Sequence, residues 1–433
     1  MSSLHDRLRA VIANGASSVR LKADTTGASA TDASAVASGF SRTTNFEAEL
    51  GGAWREDEAA RCFVVDRRFE ASVQYGRATV GALADQLASS AVEAPLVAGG
   101  APARPPFLFL DLETTGLSGG AGTHAFLVGC AWFEPDGAFV TRQFMLTRFA
   151  DERRLLFAAA AEFERAGAIV SFNGKSFDAP VLETRYLFHR LPWPCGELPH
   201  IDLLHPARRF WRPERVEGRD DESGCSLCAL ERQVLGARRT GDVPGFEIPR
   251  RYFQFIRSGD ARPLAPVLEH NRLDLLSLAA LTARLLHLVR SGPEAARDGR
   301  EVLALGRIYW RAGLDARARD AFERAAALLR DGPLRVDALR SLALAWRRSR
   351  QYEKAASCWR ALLDVRGRPP HVAREATEAL AIHHEHRIRD LATAKAFALR
   401  GLETGRQATA ALQHRLSRLD RKMEQVRNPR LEL

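Results

Sequence analysis

The stretch FLFLDLETTGLSGG, residues 107–120, ends an apolar run in two acids one residue apart, Asp111 and Glu113. Side chains at i and i+2 of a strand point to the same side, so these carboxylates project together. Like charges so close repel unless water separates them or a cation sits between them. Hard oxygen donors favour magnesium or manganese. A strand that happens to end in charge gives the same letters. Asp178, in SFNGKSFDAP, stands between an apolar run and a helical pattern. It reads as a further ligand, or as an N-cap with Pro180 in the first turn. His270 and Asp274, in EHNRLDLLSLAAL, are four apart and share one face of a helix otherwise rich in Leu and Ala. Polar residues there need a partner or a purpose. The other account of His270 is an exposed turn at the helix start.

Taken together the order is D-x-E, then N-x-x-x-F-D, then H-x-x-x-D, each at the edge of an α/β element. This resembles the DEDD exonuclease superfamily of the RNase H-like fold, over about residues 105–290. TGLSGGAGTHAFLVG, HIDLL and HNRLDLLSL, followed by C-terminal repeats, more narrowly resemble the YprB-type RNase H-like family. The resemblance implies a 3′–5′ exonuclease that hydrolyses phosphodiester bonds of DNA or RNA at a single-stranded end. It implies two divalent cations, Mg2+ or Mn2+, held by Asp111, Glu113, Asp178 and Asp274. It implies that His270 orients or deprotonates the attacking water, work suited to a side chain that titrates near neutrality. The His branch of that superfamily has four residues between His and Asp, and the Tyr branch three. Here the residue is His and the gap is three, and one helical position is a rotation of about 100°. His270 is therefore expected where the Tyr-branch hydroxyl would stand.

Candidate substrate contacts surround these acids. Thr114 and Gly116, with Gly119 and Gly120, form either a rim that a terminal nucleotide can approach closely or an ordinary loop. Asn173 supports the strand end or touches substrate, and Lys175 is a phosphate contact or a surface lysine. Asp202, in HIDLL, is a fifth acid, a support standing behind a ligand, or the structural partner of His200. Cys225 and Cys228 form a lone C-x-x-C ahead of an apolar helical run, which is not the paired pattern of a zinc site. Arg208, Arg209 and Arg212 interleave with Phe210 and Trp211. That suits a single-strand-binding surface, or a helix with aromatics inward and arginines outward.

The elements that must position these residues follow from hydrophobic period. Strands are expected at 62–69, 107–113, 125–133, 138–146, 168–173 and 200–204. Helices are expected at 80–90, 151–167, 178–190, 225–236 and 264–289. Three adjacent strands and then alternating helix and strand predict an α/β RNase H-like domain with a mixed sheet. The last third differs. Leu305, Gly306, Tyr309, Ala318, Phe322 and Ala325 match tetratricopeptide spacing. The pattern returns at Leu342, Ala343, Trp346, Ala355, Trp359 and Leu362, and more weakly from Leu380 and Ala381 to Ala394 and Ala398. The expected organisation is a mostly disordered segment (1–44), a small region and linker (45–104), the nuclease domain (105–290), an all-α repeat domain (298–405) and a basic C-terminal helix or tail (406–433).

Charge divides the same way. Residues 291–433 hold 29 Lys and Arg against 18 Asp and Glu, while the rest of the chain is nearly neutral. A basic last third suits nucleic acid or a solvated helix face. No apolar run approaches the roughly 20 residues of a membrane helix, and the N-terminus lacks a signal-peptide core. Six irregularly spaced cysteines fit a reducing cytoplasm better than a disulfide scaffold. The alternative function is a weak or inactive RNase H-like adaptor whose repeats bind a protein or nucleic-acid partner.

Overall fold

The computed structural model describes residues 46–56, 61–116, 122–212, 224–403 and 410–427. The segment 1–44, Gly119, Gly120 and most of the polar loop near residue 220 lie outside the described residues. Nine strands occur among them: β1 (Ala53–Glu56), β2 (Arg61–Phe69), β3 (Gln74–Tyr75), β4 (Ala78–Thr79), β5 (Phe107–Thr114), β6 (Ala125–Phe133), β7 (Phe139–Met145), β8 (Ala168–Ser171) and β9 (His200–Asp202). Seven form one mixed sheet in the order β1-β2-β7-β6-β5-β8-β9. β5 pairs antiparallel with β6 and parallel with β8, and β9 extends the parallel edge. β3 and β4 make a separate hairpin. The expected mixed sheet with helices is present, and an all-helical region follows it. The sheet also reaches back into 45–104, through β1 and β2.

β5 is central because it can be. Its first four residues, FLFL, are buried on both faces, and only then do acids appear. Leu108, Leu110 and Leu112 pack with the helices Glu152–Glu164, Asp178–Phe188 and Ile248–Ser258. Phe107 and Phe109 face the other way, into the core that holds the helix Ala265–Ser291. Alternation carries that second face forward to Asp111 and Glu113.

The helix Ala265–Ser291 spans 27 residues, about 40 Å at 1.5 Å per residue. From Leu275 to Val289 it is almost wholly buried, as expected of a helix apolar all round. It packs on the helix Val80–Ser90 and across β5 and β6. Its core continues without a break into the paired helices Gly299–Arg311 and Asp315–Leu328, Pro333–Arg348 and Tyr352–Asp364, and Pro370–His383 and Leu391–Glu403. A last helix, Ala410–Arg427, closes the helical region. Gly306 is where the first pair meets: a Cβ there would stand 2.5 Å from the Phe322 ring. No helix among the described residues is long and apolar enough to cross a membrane.

Candidate active site

Asp111 lies on β5 opposite Gly129 of β6, and the first turns of the long helix cross above them. Asn271, fully buried, reaches down from that helix. Its Nδ2 donates to Asp111 Oδ2 at 2.7 Å and to the Asp111 carbonyl at 3.2 Å. Gln143 Nε2 donates to Asn271 Oδ1 at 2.8 Å and so fixes the amide's orientation. Gly129 makes room for it: a Cβ there would lie 2.2 Å from Asn271 Oδ1.

Glu113 and Asp178 complete an acidic group. Burial, and then the charges of Asp274, Glu113 and Asp178, push the Asp111 carboxyl well above its ordinary range. Glu113 is raised well above its range by burial and by Asp274, Asp178 and Asp242. Asp178 is pushed up to about 7, by burial first and then by Asp202. Asp178 is the first residue of its helix and makes no capping bond, so the N-cap reading is replaced: Phe177 holds that position.

Asp274 has company. Arg239, nearly buried, donates to it through Nη2, and also to Asp242 Oδ2 at 3.2 Å and to Glu231 Oε2 at 2.7 Å. Carboxylates on three sides offset burial, and the guanidinium is held above its ordinary range. His270 Nδ1 lies 2.6 Å from Asp242 Oδ1, and its Nε2 lies 3.5 Å from Asp274 Oδ2. Burial opposes ionisation of Asp242, yet its bond with His270 and the nearby His270 and Arg239 charges hold it below the usual carboxylate range.

Donor chemistry decides whether this group suits a divalent cation. Glu113 and Asp178 have neither a hydrogen-bond donor nor a cationic partner among the described residues, and their hard oxygens repel one another. A cation relieves that repulsion, so the donor set fits. The cage is not preassembled: among the described residues no three His, Cys, Asp or Glu side chains converge on one metal position. Asp111 is turned to Asn271, and Asp274 to Arg239.

The neighbouring loops are ordered by the backbone. Thr114 Oγ1 donates to the Gly116 carbonyl at 2.8 Å, and Thr115 Oγ1 accepts from His124 N at 3.0 Å. Asp202 accepts from the backbone N–H of Asn173, Lys175 and Leu204 at 2.8, 3.1 and 3.0 Å. His200 turns instead to Ser171 Oγ at 2.6 Å, so His200 and Asp202 are not hydrogen-bonded to each other, though the Asp202 charge still acts on the imidazole. The Asn173 and Lys175 side chains are exposed beside Asp178. Phe210 and Trp211 are buried and Arg208 and Arg209 exposed, which is the inward-packing reading of that helix. Cys225 and Cys228 are free thiols, both raised chiefly by burial.

Four participants were missed in the sequence: Gly129, Arg239, Asp242 and Asn271. Two carried a signal. A glycine inside an apolar strand marks a close approach, and an asparagine on an apolar helix face needs a partner. Arg239 and Asp242 sit in RRTGDVPG, which has no period to read.

Residues 108–286 match the model of the RNase H superfamily, a span that contains all four acids of the motif set. A protein of Bacillus subtilis (strain 168), named uncharacterized protein YprB, is 32% identical over 322 residues, covering 72% of this chain and 74% of the relative. Similarity at that level, across most of both proteins, extends past the α/β layer, and the chain belongs to the YprB family, with an RNase H superfamily domain at its centre.

Proposed function

We propose that the protein is a metal-dependent nuclease, a 3′–5′ exonuclease that uses two divalent cations, Mg2+ or Mn2+, on DNA or RNA. The superfamily domain supports a nucleic-acid-processing role, and RNase H-like nucleases typically use divalent metal ions. Polarity and metal count rest on the resemblance of the motifs. The observation that carries the reading is the close set of carboxylates Asp111, Glu113 and Asp178, the first two half-buried and the third buried, whose charge no cationic side chain among the described residues offsets.

Asp111, Glu113, Asp178 and Asp274 would hold the cations. When bound, the cations supply the charge that activates water and stabilises the leaving 3′ oxygen. Asn271 keeps the Asp111 carboxylate turned to one side. With Nδ1–H donated to Asp242, His270 presents the lone pair of Nε2 and accepts the proton there. Thr114 and Gly116 form the rim, and Asn173 and Lys175 face the phosphates. In this reading 105–290 is the catalytic domain, backed by 45–104. Residues 298–405 are tetratricopeptide repeats that bind a protein or guide nucleic acid, and Ala410–Arg427, the described part of the 406–433 segment, closes them.

The test is digestion of 3′- and 5′-labelled single-stranded and duplex DNA and RNA with either metal, beside Asp111→Ala. A ladder shortening from the 3′ end, lost by about a hundredfold or more in the variant, is the expected result. Intact substrates under both metals would sink the proposal, and full activity in His270→Ala would remove the base. One observation favours the adaptor reading: Arg239 already neutralises Asp274. That reading requires no turnover with either metal while binding through the repeats persists.

A further inference from the structure

The loop that carries Asn173 and Lys175 has a second side. It borders a cleft of about 500 Å³ between the α/β layer and the first helix of the C-terminal region. That volume lies within the roughly 300–1,000 Å³ of small-ligand sites. Basic side chains enter it from three elements. Lys175 comes from the turn after β8. His205 and Arg209 stand four apart, on one face of Leu204–Trp211. Arg311 is the last residue of Gly299–Arg311 and forms the opposite wall. At Gly100 the lining is bare backbone, and a Cβ there would meet nothing within 4 Å.

Among the described residues none of these four basic side chains has an acidic partner. Arginines nearby do: Arg307 pairs with Asp337 at 2.7 Å, and Arg297 with Glu301 at 2.8 Å. The carboxylate in the lining, Asp202, is already engaged by three backbone N–H groups. Burial and the positive charges of Arg209 and Arg307 pull Arg311 below its ordinary range, so the cations repel one another here. An anion would relieve that repulsion. A larger cavity of about 870 Å³, at the start of β5, offers no such set: it is lined mainly by apolar side chains and acids.

We propose that this cleft binds the backbone phosphates of a single-stranded nucleic acid and grips the part of the strand that trails away from the carboxylate centre. It rests on the nuclease reading only for the identity of the strand. One loop separates the two places: its Asp178 end faces the acids, and its Lys175 end faces the cleft. A strand whose terminal phosphodiester lay at Asp178 would pass its next phosphates to Lys175, Arg209 and Arg311. Arginine forks suit phosphate oxygens, while lysine acts as a point charge.

The experiment is fluorescence anisotropy of a labelled single-stranded oligonucleotide on the full chain in EDTA, so that nothing is cut. Arg209→Gln/Arg311→Gln should bind about tenfold more weakly, and its salt slope should fall by about 1.4, or about 0.7 for each phosphate no longer neutralised. Lys175→Ala should weaken binding in the same direction, a second variant in case the arginine pair unfolds. Affinity within about twofold of wild type in both, with the slope unchanged, would overturn the proposal. So would binding of inorganic phosphate or polyglutamate without the oligonucleotide, which would assign the cleft to a free anion or an acidic protein. Cleavage is scored separately. A protein that binds through these arginines but cuts nothing sinks the nuclease reading alone; one that cuts, yet binds equally without them, sinks the cleft alone.

Discussion

Asp178 gives the acidic group a measurable signature. Its carboxyl is raised from 3.8 to about 7, by burial first and then by Asp202. A raised acid is held protonated in the folded state. Its stabilising contribution is therefore full below about pH 4 and is lost as pH rises through about 7. Asp178→Asn cannot ionise, so in EDTA at about pH 8 it should melt a few degrees above wild type, with the gap closing near pH 4. Mn2+ should narrow the gap at about pH 8 by stabilising wild type. Scanning fluorimetry across pH reads this directly, and equal melting at about pH 8 would mean the charge is already balanced. At this scale the sequence was legible where spacing carries geometry. Asp111 and Glu113 share a face because strands alternate, and His270 and Asp274 because helices return every four residues. Arg239 was not legible: its three carboxylate partners lie 3, 8 and 35 residues away, and only folding brings them together.

Among elements, the crossing of β6 by the long helix is the tightest constraint on the site. Gly129→Ala would place a methyl 2.2 Å from Asn271 Oδ1. The amide must move, and Asp111 loses the donor that orients it. Overpacking of this kind costs about 1–3 kcal/mol. A lower denaturation midpoint, with activity reduced further than in a destabilised control of equal stability, is the expected pair of results. A variant with normal stability and activity would show that the amide can shift freely. Most elements were legible because each has a clean period. The strand Ala53–Glu56 was not, since its largely exposed edge alternates little. The helix Ile248–Ser258 could have been found: Ile248, Tyr252 and Phe255 recur at helical spacing, with Pro249 in the first turn. Two arginines between them obscured the stripe.

For the whole molecule, Glu301 is the joint. It is fully buried at the start of the first C-terminal helix pair and accepts from Trp211 Nε1 at 2.8 Å, Arg284 Nη2 at 3.1 Å and Arg297 N at 2.7 Å. Burial alone would raise its carboxyl, but the Arg297 N–H, the Arg297 charge and Trp211 hold it below the usual range. Glu301→Ala strands Arg284 without its carboxylate and should cost on the order of 3 kcal/mol. Calorimetry should show one transition in wild type and a separated, earlier melting of the helical region in the variant. A single unshifted transition would mean that the apolar contacts alone hold the two regions together.

The long helix gives that joint a mechanical character. Between Val267 and Ser291 it contains neither glycine nor proline, the usual sources of a sharp bend. One end bears the residues over the carboxylates, and the other is embedded in the core shared with the helical region. It works as a beam rather than a hinge, so the jaw between the sheet and the first helix pair has a fixed gape. In the proposed cleft a strand would be admitted by its thickness, and a duplex would have to present a frayed end before either wall could touch it.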